Sequence, residues 1–121
     1  MIRGIRGAVT VKENNGEEIV ENARRMLEEV IKQNGVKAEE VVHAVFSVTN
    51  DLNAEFPARA LRAVEGWKFV PVMCTREIPV PGSLPMCIRL MLTVETEAKQ
   101  HEINHVYLEG AVNLRPDLTK Q

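Results

Sequence analysis

The segment PMCIRLMLTV, Pro85 to Val94, constrains the fold more than any other stretch of this chain. Side chains alternate between the two faces of a strand. As a strand it places Met86, Ile88, Leu90, Leu92 and Val94 on one wholly apolar face, and Cys87, Arg89, Met91, Thr93 and Glu95 on the other. One face must therefore be sealed by a hydrophobic core while the other carries a guanidinium. Arginine is almost never fully buried without a partner. Arg89 either forms an ion pair with Glu95 or Glu77, or lines a polar pocket and meets an anionic ligand.

The rest of the chain supplies what that strand needs. Residues Ile2 to Val11 read as a first strand, with Gly4 and Gly7 marking a bulge or a close backbone approach. Glu17 to Asn34 reads as a helix. Ile19, Val20, Ala23, Met26, Leu27, Val30 and Ile31 fall on one stripe, Asn15 and Glu18 supply the N-terminal cap and Gly35 the stop. Val41 to Thr49 is a second strand, expected to be buried on both sides and interrupted by His43. A short helix follows around Pro57, ended by Gly66. Trp67 to Cys74 is a third strand whose Pro71 points to an edge or a bulge. The proline-rich loop REIPVPGSLP leads into the fourth strand, Met86 to Thr96. A helical turn within Glu97 to Asn104 and a last strand, His105 to Leu114, complete the chain.

The order β-α-β-α-β-β-β predicts an α+β fold, a mixed five-stranded sheet with helices on one face. The chain of 121 residues suits a single domain, 1–121, with residues 115–121 as a flexible polar tail. The other sheet face is left apolar and uncovered, which predicts burial between subunits. The N-terminus lacks the apolar run of a signal peptide and no apolar segment reaches the ~20 residues of a membrane span, so a cytoplasmic location is expected. Cys74 and Cys87 do not make a disulfide framework or a metal site. A net charge of −2 and a single Trp and Tyr argue against a nucleic-acid surface.

Any anion binding must then come from a local group of cations. Arg6 lies in the first strand between Ile5 and Gly7, and Arg59 and Arg62 share a face of the short helix. Glu77 follows Cys74 by three residues, and Tyr107 is mid-strand. Several arginines on strands, with one carboxylate and one phenol, imply a small ligand with several negative charges and at least one hydroxyl. Arginine suits that task because its planar fork stays charged and donates up to five hydrogen bonds. His43, His101 and His105 read as structural or surface residues, and Cys87 as a buried apolar residue.

Five stretches in this order, RGIRGAVTV, FPARALR, GWKFVPVMCTREI, CIRLMLTVET and HVYLEGAVNLRPDL, resemble the small trimeric, barrel-like class of chorismate mutases. The resemblance spans nearly the whole chain. It implies three subunits packing their sheets into a pseudo-α/β-barrel, with active sites in the clefts between them. It also implies the Claisen rearrangement of chorismate to prephenate, with no cofactor and no metal. Carried over residue by residue, Arg89 resembles the arginine that contacts the ether oxygen and a carboxylate, and Arg6 one that clamps a carboxylate. Glu77 and Cys74 match groups that meet the ring hydroxyl, and Tyr107 a phenol on a carboxylate. Phe56, Arg59 and Arg62 match the neighbouring subunit's contribution, and Leu114 and Arg115 a tail that orders over the site. Arg59 stands where the family also has lysine, and Met73 where it also has a small polar residue. Two other readings remain open: a trimeric imine or enamine deaminase, and a non-catalytic anion-binding regulatory trimer.

Overall fold

The structure, a computed structural model, describes residues 1–114. Strand β1 (Ile2–Thr10) leads to helix α1 (Gly16–Asn34), strand β2 (Val41–Val48) and a single-turn helix α2 (Arg59–Arg62). Strands β3 (Val72–Arg76), β4 (Cys87–Glu95) and β5 (Val106–Leu108) follow. The five strands form one mixed sheet in the order β3-β2-β4-β1-β5. The central strand β4 runs antiparallel to both β1 and β2. Each outer pair, β2 with β3 and β1 with β5, is parallel.

Helix α1 begins where Asn15 Oδ1 accepts the Glu18 N–H at 3.0 Å, and ends at Gly35, which adopts φ 61°. Its stripe of Ile19, Ala23, Met26, Leu27 and Val30 is buried against the sheet. The opposing sheet surface is Ile5 and Val9 of β1, Ala44, Phe46 and Val48 of β2, and Ile88, Leu90, Leu92 and Val94 of β4. Ala60 and Leu61 of α2 join the same core. Each fully buried Leu, Ile or Phe in it is worth about 1.5–3 kcal/mol relative to exposure. Gly7 meets the expectation of close approach: a Cβ there would stand 3.0 Å from Met26 Sδ. Both helices thus cover one face, and the odd-numbered residues of β4 are left on the other.

Three sequence expectations are corrected. The third strand starts at Val72, not Trp67, and runs on to Arg76. Residues 67–70 curl into a turn, with the Val70 N–H bonding the Trp67 carbonyl at 3.1 Å. This buries Trp67 and Val70 together, a spacing of three that alternation cannot satisfy. Pro71 then precedes an edge strand, in keeping with its missing N–H. The last strand is only three residues long. It stops at Glu109, which takes φ 52°, and Thr10 Oγ1 accepts the next N–H, that of Gly110, at 2.8 Å. Residues Glu109–Asn113 form a 3₁₀ helix instead. Finally, β2 is not sealed on both sides: Val42 and His43 are exposed where the pairing with β4 shifts register, and no helix covers the side that His43 shares with Thr93. His43 Nε2 lies 3.1 Å from Thr93 Oγ1 across the strands.

Candidate active site

The uncovered face is not a plain apolar sheet. Register places Thr75, Ser47, Arg89, Ala8 and Tyr107 in one row across all five strands, each the Cα partner of the next. The neighbouring row holds Met73, Val45, Met91 and Arg6. A cleft of about 480 Å³ lies over these rows, lined by Arg6, Ser47, Glu77, Arg89, Tyr107 and Leu114, among others. The candidate residues Arg6, Glu77, Arg89, Tyr107 and Leu114 are therefore brought together, although they come from separate parts of the chain.

Glu77 lies just past the end of β3, where its N–H still bonds the Val48 carbonyl at 2.9 Å. Two residues beyond Thr75, it keeps the side of the open face. Ser47 Oγ donates a hydrogen bond to Glu77 Oε2. Arg89 Nε stands 3.9 Å from the same oxygen. That is an ion pair, but too long for a hydrogen bond. Of the two acidic partners considered for Arg89, Glu77 is the one found. The Arg89 side chain retains 46% of its exposure, so much of its donor capacity faces the cleft. The Arg6 guanidinium has no carboxylate partner among the described residues. The Arg6 backbone N–H bonds His105 Nδ1 at 2.9 Å, which fixes that stretch of β1 against the approach to β5.

Tyr107 is 8% exposed, and its hydroxyl, buried, has no hydrogen-bond partner among the described residues. A buried hydroxyl without a partner is costly. Tyr107 packs with Ala8, Cys87 and Ala111 in a small apolar cluster beside Arg89, with Leu114 against it. Burial pushes the Cys87 thiol above its ordinary range, partly offset by the positive charge of Arg89. Cys87 is thus held as a neutral thiol.

The other candidates stand elsewhere in the chain. Cys74 follows the opposite parity from Thr75 and packs against the main core. It borders a second cleft, of about 410 Å³, with Phe56, Glu55 and Arg76. Phe56 is 67% exposed there. Arg59 is held to Glu55 by a 2.8 Å ion pair. The Phe56 N–H, followed by the Arg59 charge, holds the Glu55 carboxyl below its usual range. Arg62 is exposed, and Met73 lies exposed on the open face at the sheet edge. Arg115 and the expected tail lie outside the described residues. Sequence reasoning missed Ser47, whose only signal was a small polar residue inside an apolar strand.

Among the described residues, the surroundings of Arg89 are thus a cationic cleft with the pre-bonded Glu77 carboxylate and the unsatisfied Tyr107 phenol. Residues 2–118 match the family described as chorismate mutase type I. The chain belongs to that family. It is 51% identical over 119 residues to a chorismate mutase AroH of Bacillus subtilis (strain 168), covering 98% of this chain and 94% of that protein. It is 46% identical over 119 residues to a chorismate mutase AroH of Thermus thermophilus, covering 98% and 97%. Its fold also matches a solved chorismate mutase from Clostridium thermocellum, with a TM-score of 0.87 and 45% identity over 90% of this chain and 96% of that one. Type I chorismate mutase membership leaves the deaminase and regulatory readings without support.

Proposed function

We propose that the cleft over Arg89 is where this chorismate mutase, an isomerase, converts chorismate to prephenate. The observation that carries the assignment is the pairing, among the described residues, of two cationic side chains, Arg6 and Arg89, with an unpartnered buried phenol in a cleft that already holds the Glu77 carboxylate in place. Chorismate is a flexible dianion with a ring hydroxyl. A pericyclic rearrangement needs no acid, base or nucleophile, only a compact conformer and stabilisation of developing charge.

In this reading Arg6 and Tyr107 hold carboxylates, and Glu77 accepts the ring hydroxyl. Arg89 reaches the ether oxygen, on which negative charge grows as the C–O bond breaks. A fixed cation there favours the transition state over the ground state.

The reading extends to a homotrimer. The open face exposes Met73 and Met91, and separate apolar residues, Phe69, Ile78 and Val80, stand out from the loops. Within one chain, the Arg89 cleft and the Phe56–Cys74 cleft meet only at the edge strand, where Thr75 lines both. Packing three sheets together sets the second cleft of one subunit against the first cleft of the next, which brings Phe56, Arg59, Arg62 and Cys74 to the substrate. Arg115, which lies outside the described residues, is a further substrate contact in this reading. A cytoplasmic location suits two free thiols; among the described residues no helix is long and apolar enough to cross a membrane.

The direct test is to add the purified protein to chorismate and follow the diene absorbance. Its loss, with prephenate as the product, is expected. An unchanged spectrum would overturn the assignment.

A further inference from the structure

We infer that Ser47 is a positioning residue for the rearrangement, locking one oxygen of the Glu77 carboxylate to the sheet so that the other faces the substrate; this rests on the reading of the cleft given above. Ser47 occupies the middle of the functional row. On one side its Cα partner is Arg89 of β4, and on the other Thr75 of β3. Glu77 sits beyond the last paired residue of β3, where the Val48 carbonyl still holds its backbone. Nothing in the sheet ladder fixes its side chain, which has three rotatable bonds.

What holds that side chain is the Ser47 hydroxyl, which donates to Oε2. Arg89 approaches the same Oε2, but only to 3.9 Å. Its attraction is a point-charge pull that leaves the carboxylate free to swing. A hydrogen bond from a hydroxyl to an anion is both stronger and more directional than a neutral one. With Oε2 engaged, Oε1 has no protein partner among the described residues and is left for the cleft. An acceptor for a substrate hydroxyl is useful only when its position is fixed before the substrate arrives, because misplacement by a fraction of an ångström lowers the rate.

Ser47 lies on the open face, away from the main core, so its hydroxyl is not needed to fold the chain. A β-branched threonine suits a strand and carries the same donor.

The test is a double-mutant cycle on the full chain. Ser47→Ala is measured alone and in a Glu77→Ala background, with kcat and KM taken from loss of chorismate absorbance and folding from thermal melts. In the wild-type background Ser47→Ala is expected to lower kcat/KM about tenfold, the scale of a lost hydrogen bond to a charged group. Ser47→Thr should recover to within about threefold. In the Glu77→Ala background Ser47→Ala should change kcat/KM by less than about twofold, because the carboxylate it orients is gone. Equal losses in both backgrounds, or wild-type kcat/KM in a folded Ser47→Ala protein, would overturn the positioning role. If Ser47→Ala does not fold, Ser47→Cys, a weaker donor of similar shape, replaces it in the same cycle. A folded Arg89→Ala protein with wild-type turnover would instead sink the reading of the cleft, whatever Ser47 does.

Discussion

Arg89 Nε and Glu77 Oε2 stand 3.9 Å apart, close enough to attract and too far to hydrogen-bond. Three sheet neighbours produce this spacing: β3 beside β2, and β2 beside β4. Ser47 engages Oε2 of that carboxylate, and the Arg89 guanidinium makes no hydrogen bond to it. An arginine locked in a bidentate pair would commit two of its five donors to that carboxylate.

Arg89→Ala should therefore fold and fail to turn over. Its side chain is 46% exposed and sits outside the main core, so its loss leaves the packing intact. Turnover should fall by about 10²–10³, the scale for losing one fixed donor at a developing anion. Thermal melting alongside chorismate consumption checks both halves. A folded variant with near-normal turnover would contradict the electrostatic role.

No proton transfer enters the proposed reaction. At saturating chorismate, kcat should be nearly flat between about pH 6 and pH 8. A bell-shaped kcat profile in that range would indicate a general acid or base and a different mechanism.

Sites shared between subunits can be detected by complementation. Arg62 and Arg89 are expected to serve the same site from adjacent chains. Arg62→Ala and Arg89→Ala proteins, each nearly inactive, are denatured together in equal amounts and refolded. About three-quarters of random trimers are mixed, and each has one interface of three where both arginines are intact. About a quarter of wild-type activity should return. Activity that stays at the level of the parent variants, with mixed trimers seen by native mass spectrometry, rules out the shared site.

Gly35 holds the end of α1 at φ 61°, and an added Cβ there would meet nothing within 4 Å. Gly35→Ala thus tests backbone strain alone. It should destabilise the chain by about 1 kcal/mol, shifting the denaturant midpoint with an unchanged slope. Chorismate turnover in the folded protein should not change. A stability equal to the wild type would show that the left-handed cap is not needed.

Cys87 makes stability fall in alkali. Its thiol titrates above the ordinary value in the fold because burial disfavours the thiolate. A raised folded value means the unfolded chain releases its proton first. The contribution is full below the unfolded thiol value, about 8.5, and is lost as pH rises through the folded value. Denaturation midpoints for wild type and Cys87→Ala should differ by a constant amount from about pH 6 to 8 and converge above that. Parallel curves across the alkaline range would show that the thiol does not contribute.

The amphipathic stripe of α1, its Asn15 cap and the αL stop at Gly35 were readable from spacing, because each depends on neighbours within a few residues. So was the side of the strand that Arg89 takes, since alternation along β4 is local. The resemblance of five stretches to known chorismate mutases also placed Arg6, Glu77, Arg89 and Tyr107 in one list. What no stretch could fix was which residues stand beside which. Tyr107 reaches the row of Arg89 only through the parallel pairing of β5 with β1, about a hundred residues apart in sequence. Ser47 reaches Glu77 only because β2 pairs with β3, about thirty residues on in sequence. The same non-local packing turned Trp67–Val70 from an expected strand into a turn, since the core rewarded burying both ends at once. It also cut β5 to three residues, where the Thr10 side chain captures the Gly110 N–H. Period and capping are properties of a segment; register and burial belong to the sheet, and they exist only once distant segments have met.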